Sequence, residues 1–197
     1  MAELARVLPR GATMWIDDAH GAGVLGARLR GTVEHVSPGG LGGCEVIQST
    51  TLSKAFGSFG GAILGPAWLR KSLLEGSGIV TGSSSLPAGY ATAAGIAAEM
   101  LRSRPGLAKR LRRNTEFVAA ELRRVGRAFV DSGFPVVSLD CPERGSAMKL
   151  RRRLLAGGIY PSCIRYPSEK KGAFFRFAIS SEHTRPQLES LARALEL

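Results

Sequence analysis

Apolar residues fall in short runs that stop at Asp, Gly or Pro, and these runs alternate with longer stretches of helical spacing. Residues 2–8 carry the spacing of an amphipathic helix, which Pro9-Arg10-Gly11 breaks. The run from Thr13 to Ile16 ends abruptly in Asp17-Asp18, the pattern of a buried strand with polar residues at its exit. Turn residues dominate from Gly21 to Gly43. Residues 45–50 then predict a second strand running into Thr51-Leu52-Ser53-Lys54, and Gly57, Gly60 and Gly61 introduce a third, Ala62 to Leu64. From Pro66 the period becomes helical, with helices predicted over 67–75, 87–102 and 105 to about 126; the last carries Leu107, Leu111, Phe117, Val118 and Leu122 near helical spacing. A second module follows: a strand over 136–139, a helix over 146–156, strands over 159–164 and 174–179, and a terminal helix over 186–195. There is no internal repeat and no low-complexity linker. The order of elements predicts an α/β chain with one domain over residues 1–110 and another over 111–197.

Composition narrows the class of protein without naming a function. The 197 residues, 44% of them hydrophobic, suffice for one sizeable core or two small ones, which argues against disorder. The net charge of +11 raises nucleic acid and acidic membranes as partners. However, the basic residues Lys109, Arg110, Arg112, Arg113, Arg123, Arg124 and Arg127 are interrupted by Glu116 and Glu121, the pattern of a solvated helix face. No zinc-finger spacing or aromatic RNA-binding signature accompanies them, so no specific nucleic-acid partner is expected. Cys44, Cys141 and Cys163 lie far apart without a CxxC pair, which suggests neither a metal site nor a disulfide framework and fits a reducing, cytoplasmic setting. No apolar run reaches the length needed to span a bilayer, and the opening residues lack a signal-like apolar core, so no membrane partner is expected.

Three strings carry the candidate chemistry. Asp17-Asp18-Ala19-His20-Gly21 closes the first predicted strand, Thr50-Thr51-Leu52-Ser53-Lys54-Ala55-Phe56-Gly57 closes the second, and Thr81-Gly82-Ser83-Ser84-Ser85-Leu86-Pro87 precedes a helix. Carboxyl ends of strands are where open α/β sheets place ligands. Together the strings hold what a pyridoxal 5'-phosphate site needs: a lysine amine for the cofactor aldehyde, and a carboxylate to keep the pyridine nitrogen protonated so that the ring draws off electron density. Lys54 and Asp17 suit those roles, and Lys54 is expected to be buried beside Asp17 and His20. His20 can meet the phenolic oxygen, and Thr51, Ser83, Ser84 and nearby backbone amides can bind the phosphate. Taken singly, each feature has a plainer use. Asp18 is read as structural, Ser83 to Ser85 can cap the following helix, His35 and His183 are read as non-catalytic with His183 helping the turn into the last helix, and the cysteines are read as packing or incidental.

The strings Ile16-Asp17-Asp18-Ala19-His20-Gly21-Ala22-Gly23-Val24-Leu25-Gly26, Arg30-Gly31-Thr32, Thr51-Leu52-Ser53-Lys54-Ala55-Phe56-Gly57 with Gly60-Gly61, and Ile164-Arg165-Tyr166-Pro167 resemble, in order and spacing, the α-oxoamine synthases. These are pyridoxal-phosphate enzymes of the fold-type I aminotransferase superfamily. The resemblance implies a C-acyltransferase that condenses a small amino acid with an acyl-CoA. It implies that Lys54 is the Schiff-base lysine, Asp17 the partner of the pyridine nitrogen, His20 the contact to the phenolic oxygen and Thr51 a phosphate ligand. Ser83 and Ser84 would reach the phosphate of a neighbouring subunit, which implies a homodimer. Arg165 would hold the substrate carboxylate, with Arg176 and Arg185 as rivals. Histidine at position 20, where the aminotransferase branch usually has tyrosine, favours acyl transfer. Leu29 stands where the family commonly has glycine, a departure that bears on the local turn. The resemblance further implies that the chain corresponds to the carboxyl half of a longer enzyme, with residues 1–110 the latter part of the cofactor-binding large domain and 111–197 the small domain. The missing half would supply further strands, the residue stacked on the ring and much of the acyl-CoA site. An aminotransferase of the same superfamily and a non-catalytic truncated fragment remain the alternatives.

Overall fold

A computed structural model of the chain describes residues 1–126, 129, 133–141, 144–160, 162–164 and 173–196. They form a mixed α/β architecture with two small sheets, divided into two compact units, Met1–Pro105 and Gly106–Leu197.

The first unit opens with helix α1 (Ala2–Val7), followed by strand β1 (Thr13–Asp17), which pairs in parallel with β2 (Glu45–Thr51). A parallel pair needs a crossover of a dozen or more residues. The glycine-rich stretch between the two strands provides it and contains one short helix, α2 (Thr32–Val36), that the turn composition did not signal. Strand β3 (Gly61–Leu64) returns antiparallel to β2, giving the order β1-β2-β3. Helices α3 (Ala67–Gly76), α4 (Gly78–Gly82) and α5 (Ala88–Ser103) follow. Pro66 and Pro87 stand immediately before α3 and α5, where a missing N–H costs nothing. Ser77 caps α4 by accepting the Val80 amide.

The second unit is a two-layer α/β sandwich. Helix α6 (Pro105–Arg124) precedes β4 (Val136–Cys141), α7 (Arg144–Ala156), β5 (Ser162–Ile164), β6 (Ala173–Ala178) and α8 (Arg185–Leu195), and the antiparallel sheet runs β4-β6-β5. Phe175, Leu154, Leu122, Leu195 and Val118 are its most completely buried side chains, so α6, α7, α8 and β6 all contribute to one core. The strand expected from Ile159 begins only at Ser162. Gly158 sits at φ +72 and the Ile159 amide donates to the Leu154 carbonyl at 2.8 Å, so Ile159 closes the carboxyl end of α7 instead of entering the sheet.

The two units differ in how much apolar surface they bury. Among the described residues, every exposed large hydrophobic side chain except Met148, Leu155 and Tyr160 belongs to the first unit, including Trp15, Phe59, Ile63, Trp68 and Ile79. Helices α3 and α5 bury only Leu69 and Ala94, respectively. The first unit is a sheet with little covering it; the second has a closed core.

Candidate functional site

The parallel pairing brings the carboxyl ends of β1 and β2 to the same edge of the sheet, with Asp17 in register with Ser49. Alternation along β1 then separates the two neighbouring acids. Asp17 shares a face with Trp15 and Ser49 and is exposed, while Asp18, one residue on, is 3% exposed. Asp17 Oδ1 accepts the Ala19 amide at 3.1 Å, a tight turn that redirects the chain towards His20.

Asp18 serves the interior. Its carboxylate accepts the Thr32 amide at 2.8 Å, the Thr32 hydroxyl at 2.5 Å and the Gln48 side-chain amide at 2.6 Å, and its carbonyl accepts from Thr50 Oγ1 at 3.1 Å. A Cβ on Gly21 would stand 2.1 Å from Asp18 Oδ1, and one on Gly31 would stand 1.9 Å from Oδ2. Both glycines are therefore required by the carboxylate they enclose. In the same crossover, Leu29 holds φ +60, the one positive value at a non-glycine position among the described residues.

Lys54 lies in the loop joining β2 to β3. Leu52 donates its amide to the Gly60 carbonyl at 2.9 Å, Ser58 donates to Leu52 at 2.8 Å, and Gly57, at φ +55, donates to the Lys54 carbonyl at 3.0 Å. These bonds fold the loop back on itself and place Lys54 Nζ 3.0 Å from His20 Nε2. Just past the first string, the Gly23 backbone packs against side chains of the second: a Cβ on Gly23 would lie 2.7 Å from that of Ala55 and 3.4 Å from the Phe56 ring. The third string is joined to the lysine loop through Leu86, whose Cδ1 would lie 3.1 Å from a Cβ on Gly60. Farther along, Ser58 Oγ donates to the Tyr90 carbonyl at 2.7 Å, and the Phe59 and Tyr90 rings sit 5.5 Å apart. All three strings thus meet within the first unit.

The individual side chains are not all turned to one point. Thr51 Oγ1 donates to the Gly60 carbonyl at 3.3 Å and accepts the Ser53 amide at 3.2 Å, so its hydroxyl closes the loop. Ser83 and Ser84 are exposed, and the Ser83 hydroxyl donates back to the Ile79 carbonyl. The expected burial of Lys54 is not met: the lysine is exposed, in a loop on a sheet that the described residues cover only in part. Arg165 lies outside the described residues. Of its rivals, Arg185 stacks 3.5 Å over the Phe117 ring and pairs with Glu189 at 2.9 Å, while Arg176 lines a cavity of about 450 Å³ in the second unit. His183 Nδ1 accepts the Ser180 amide at 3.1 Å, which fixes the turn before α8. Trp15 and Ser49 were not singled out in the sequence; the indole N–H donates to Ser49 Oγ at 3.3 Å beside Asp17. Among the described residues no helix is long and apolar enough to cross a membrane, and no group of three or more His, Cys, Asp or Glu converges as a metal site.

Comparison with known proteins gives this arrangement a context. The sequence pattern of the family described as Aminotransferase class I and II matches residues 1–195. The 8-amino-7-oxononanoate synthase of Methylococcus capsulatus is 35% identical over 198 residues, covering 99% of this chain but 50% of its own length. The chain thus spans about half the length of the curated relatives it matches. Among solved structures, an 8-amino-7-oxononanoate synthase from Francisella tularensis superposes with a TM-score of 0.83 at 25% identity, over 98% of this chain and 56% of its own. A structure of SPT with PLP internal aldimine superposes with a TM-score of 0.85 at 23% identity, over 100% of this chain and 49% of that one, a likeness of fold.

Proposed function

Because the chain belongs to the aminotransferase class I and II family, we propose that it forms part of a pyridoxal-phosphate-dependent C-acyltransferase of the 8-amino-7-oxononanoate synthase kind. The reaction condenses a small amino acid with an acyl-CoA and releases CoA, carbon dioxide and an aminoketone, the step such enzymes contribute to biotin biosynthesis. The observation that carries this reading is the 3.0 Å approach of Lys54 Nζ to His20 Nε2 at the end of the β1–β2 pair that also delivers Asp17. An amine, an imidazole and a carboxylate on one sheet edge are the donor set the cofactor requires.

When bound, pyridoxal phosphate supplies an aldehyde and a protonated ring that draws electron density from the substrate carbon. Lys54 would hold the cofactor by its amine and would act as the base for the α-proton of the amino acid. Asp17 keeps the proton on the pyridine nitrogen, and His20 donates to the phenolic oxygen. Thr51 would offer its hydroxyl to the phosphate, and Arg165 would pair with the amino acid carboxylate. Ser83 and Ser84 reach the phosphate of a second subunit in a homodimer; their exposure supports that use. The half-length match and the uncovered first unit support a working assembly that also contains the relatives' other half. A reducing, cytoplasmic setting is part of the reading, supported by the free thiols of Cys44 and Cys163.

The test is chemical trapping followed by peptide mapping. Pyridoxal phosphate added to the chain and fixed with borohydride is expected on Lys54 and absent from Lys54→Ala. Supplied with the remaining half, an amino acid and an acyl-CoA, the assembly is expected to release free CoA thiol only when both substrates are present. Labelling spread over surface lysines without preference for Lys54 would refute the proposal. The family description also favours a second reading, an aminotransferase, for which the amino acid alone would leave the cofactor in its aminated form.

A further inference from the structure

The large apolar side chains that the second unit leaves exposed, among the described residues, are neighbours in the sequence: Met148 at 50% exposure, Leu155 at 46% and Tyr160 at 86%. Met148 and Leu155 lie on α7 at i and i+7, so they share a face. Ala147, Leu150 and Leu154 are buried in the core, which turns that face outward. The same helix is wholly basic. Arg144, Lys149, Arg151, Arg152 and Arg153 lie on it without a single acid. Arg152 stands between Met148 and Leu155 at i+4 from the first, with Lys149 and Arg151 on the flanks of the stripe. On α6, by contrast, Glu116 and Glu121 interrupt the cations, Arg110 is paired with Glu182, and Arg124 is paired with Glu121 and Glu196. Lys149, Arg151 and Arg152 are exposed, and no described residue offers their side chains an ion pair or hydrogen bond.

We propose that the outer face of α7 docks on an anionic lipid surface, with Met148 and Leu155 entering the headgroup boundary and Lys149, Arg151 and Arg152 meeting lipid phosphates. Cations on long apolar stems complement a layer of negative headgroups, and each one near the surface strengthens adsorption about fivefold. The apolar side chains set lipid apart from nucleic acid, whose phosphates would engage the cations and leave Met148 and Leu155 in water. They are also too few for a stable protein interface, which buries about 800 Å² on each partner. Tyr160, just beyond the helix, adds an amphipathic ring of the kind such boundaries favour. The expectation of no membrane partner rested on the lack of a spanning run, which does not bear on a helix that lies along a surface. This docking is independent of the pyridoxal phosphate reading.

Vesicle sedimentation with the full chain tests it. Vesicles of phosphatidylcholine alone report adsorption through the exposed apolar surface of the first unit. Vesicles that also contain phosphatidylglycerol are expected to bind the chain about a hundredfold more tightly, with the excess lost at high salt. Arg151→Gln combined with Arg152→Gln should cut that excess about twentyfold. Arg102→Gln combined with Arg110→Gln removes the same charge from paired arginines and should cut it no more than about threefold. Met148→Ser combined with Leu155→Ser should weaken binding about tenfold and keep its salt dependence. Equal losses from the two arginine pairs, no preference for anionic vesicles, or serine variants that bind as well as the unaltered chain would each overturn the proposal. Duplex DNA retained through the α7 cations, with no preference for anionic vesicles, would overturn it in favour of nucleic acid.

Discussion

Leu29 holds a left-handed backbone conformation that a Cβ makes costly, at roughly 1–3 kcal/mol for a residue of this kind. Its amide and carbonyl are both used, donating to Gly26 at 3.3 Å and accepting from Gly23 at 2.9 Å, so the surrounding turn keeps it there. Replacing it by glycine removes the strain and adds some unfolded-state entropy. Leu29→Gly is therefore expected to raise stability by about 1 kcal/mol, read as a higher denaturant midpoint at unchanged slope. The reverse experiment is Gly31→Ala. That residue combines φ +100 with a Cβ position 1.9 Å from Asp18 Oδ2, and its substitution should cost about 3 kcal/mol or more by the same measurement. A loss below about 1 kcal/mol would mean that the Asp18 cluster yields more easily than its short hydrogen bonds imply.

At the scale of elements, α6 is tied to the turn before α8 by one buried side chain. Asn114 is 7% exposed, and its Nδ2 donates to the carbonyls of Ser180 at 2.8 Å and His183 at 3.0 Å. Asn114→Ala leaves both carbonyls without that donor and is expected to lower stability by about 2 kcal/mol, seen as a reduced unfolding midpoint. Asn114→Asp should be at least as damaging, because it turns a carboxylate towards two carbonyl oxygens. Most elements were legible in the sequence because apolar runs ended at Gly, Pro or Asp and helices began at Pro66, Pro87 and Pro105. The exceptions have local causes. Helix α4 is a single capped turn, Gly78 to Gly82, too short to display a period, and Ile159 looks like strand but spends its amide on closing α7. Within the candidate site, the motif strings singled out Asp17, His20 and Lys54, and the glycine contacts explain how the strings meet. Trp15 and Ser49 stayed hidden because their relation depends on strand register, which becomes visible only once β1 and β2 are paired.

For the molecule as a whole, the contrast between the units sets the expected order of local stability. The second unit encloses Phe175, Leu154 and Leu122 almost completely, whereas the first leaves most of its large apolar side chains in contact with water. Amide hydrogen exchange on the whole chain should find β4 and β6 protected about a hundredfold more than β1 and β2, a gap of nearly 3 kcal/mol in opening free energy. Equal protection would show that the first sheet is stabilised by something other than burial. A dye that fluoresces on apolar surfaces should bind the chain and be displaced when the other half of the relatives is added. Strand β1 lies at the end of its sheet and presents one row of backbone groups with no neighbour in the β1-β2-β3 order. Asp17 is the last residue of that same strand. The seam where a further strand can zip on is therefore also the rail on which the acid is mounted, and a misaligned recruit would set the carboxylate askew even as it completed the sheet.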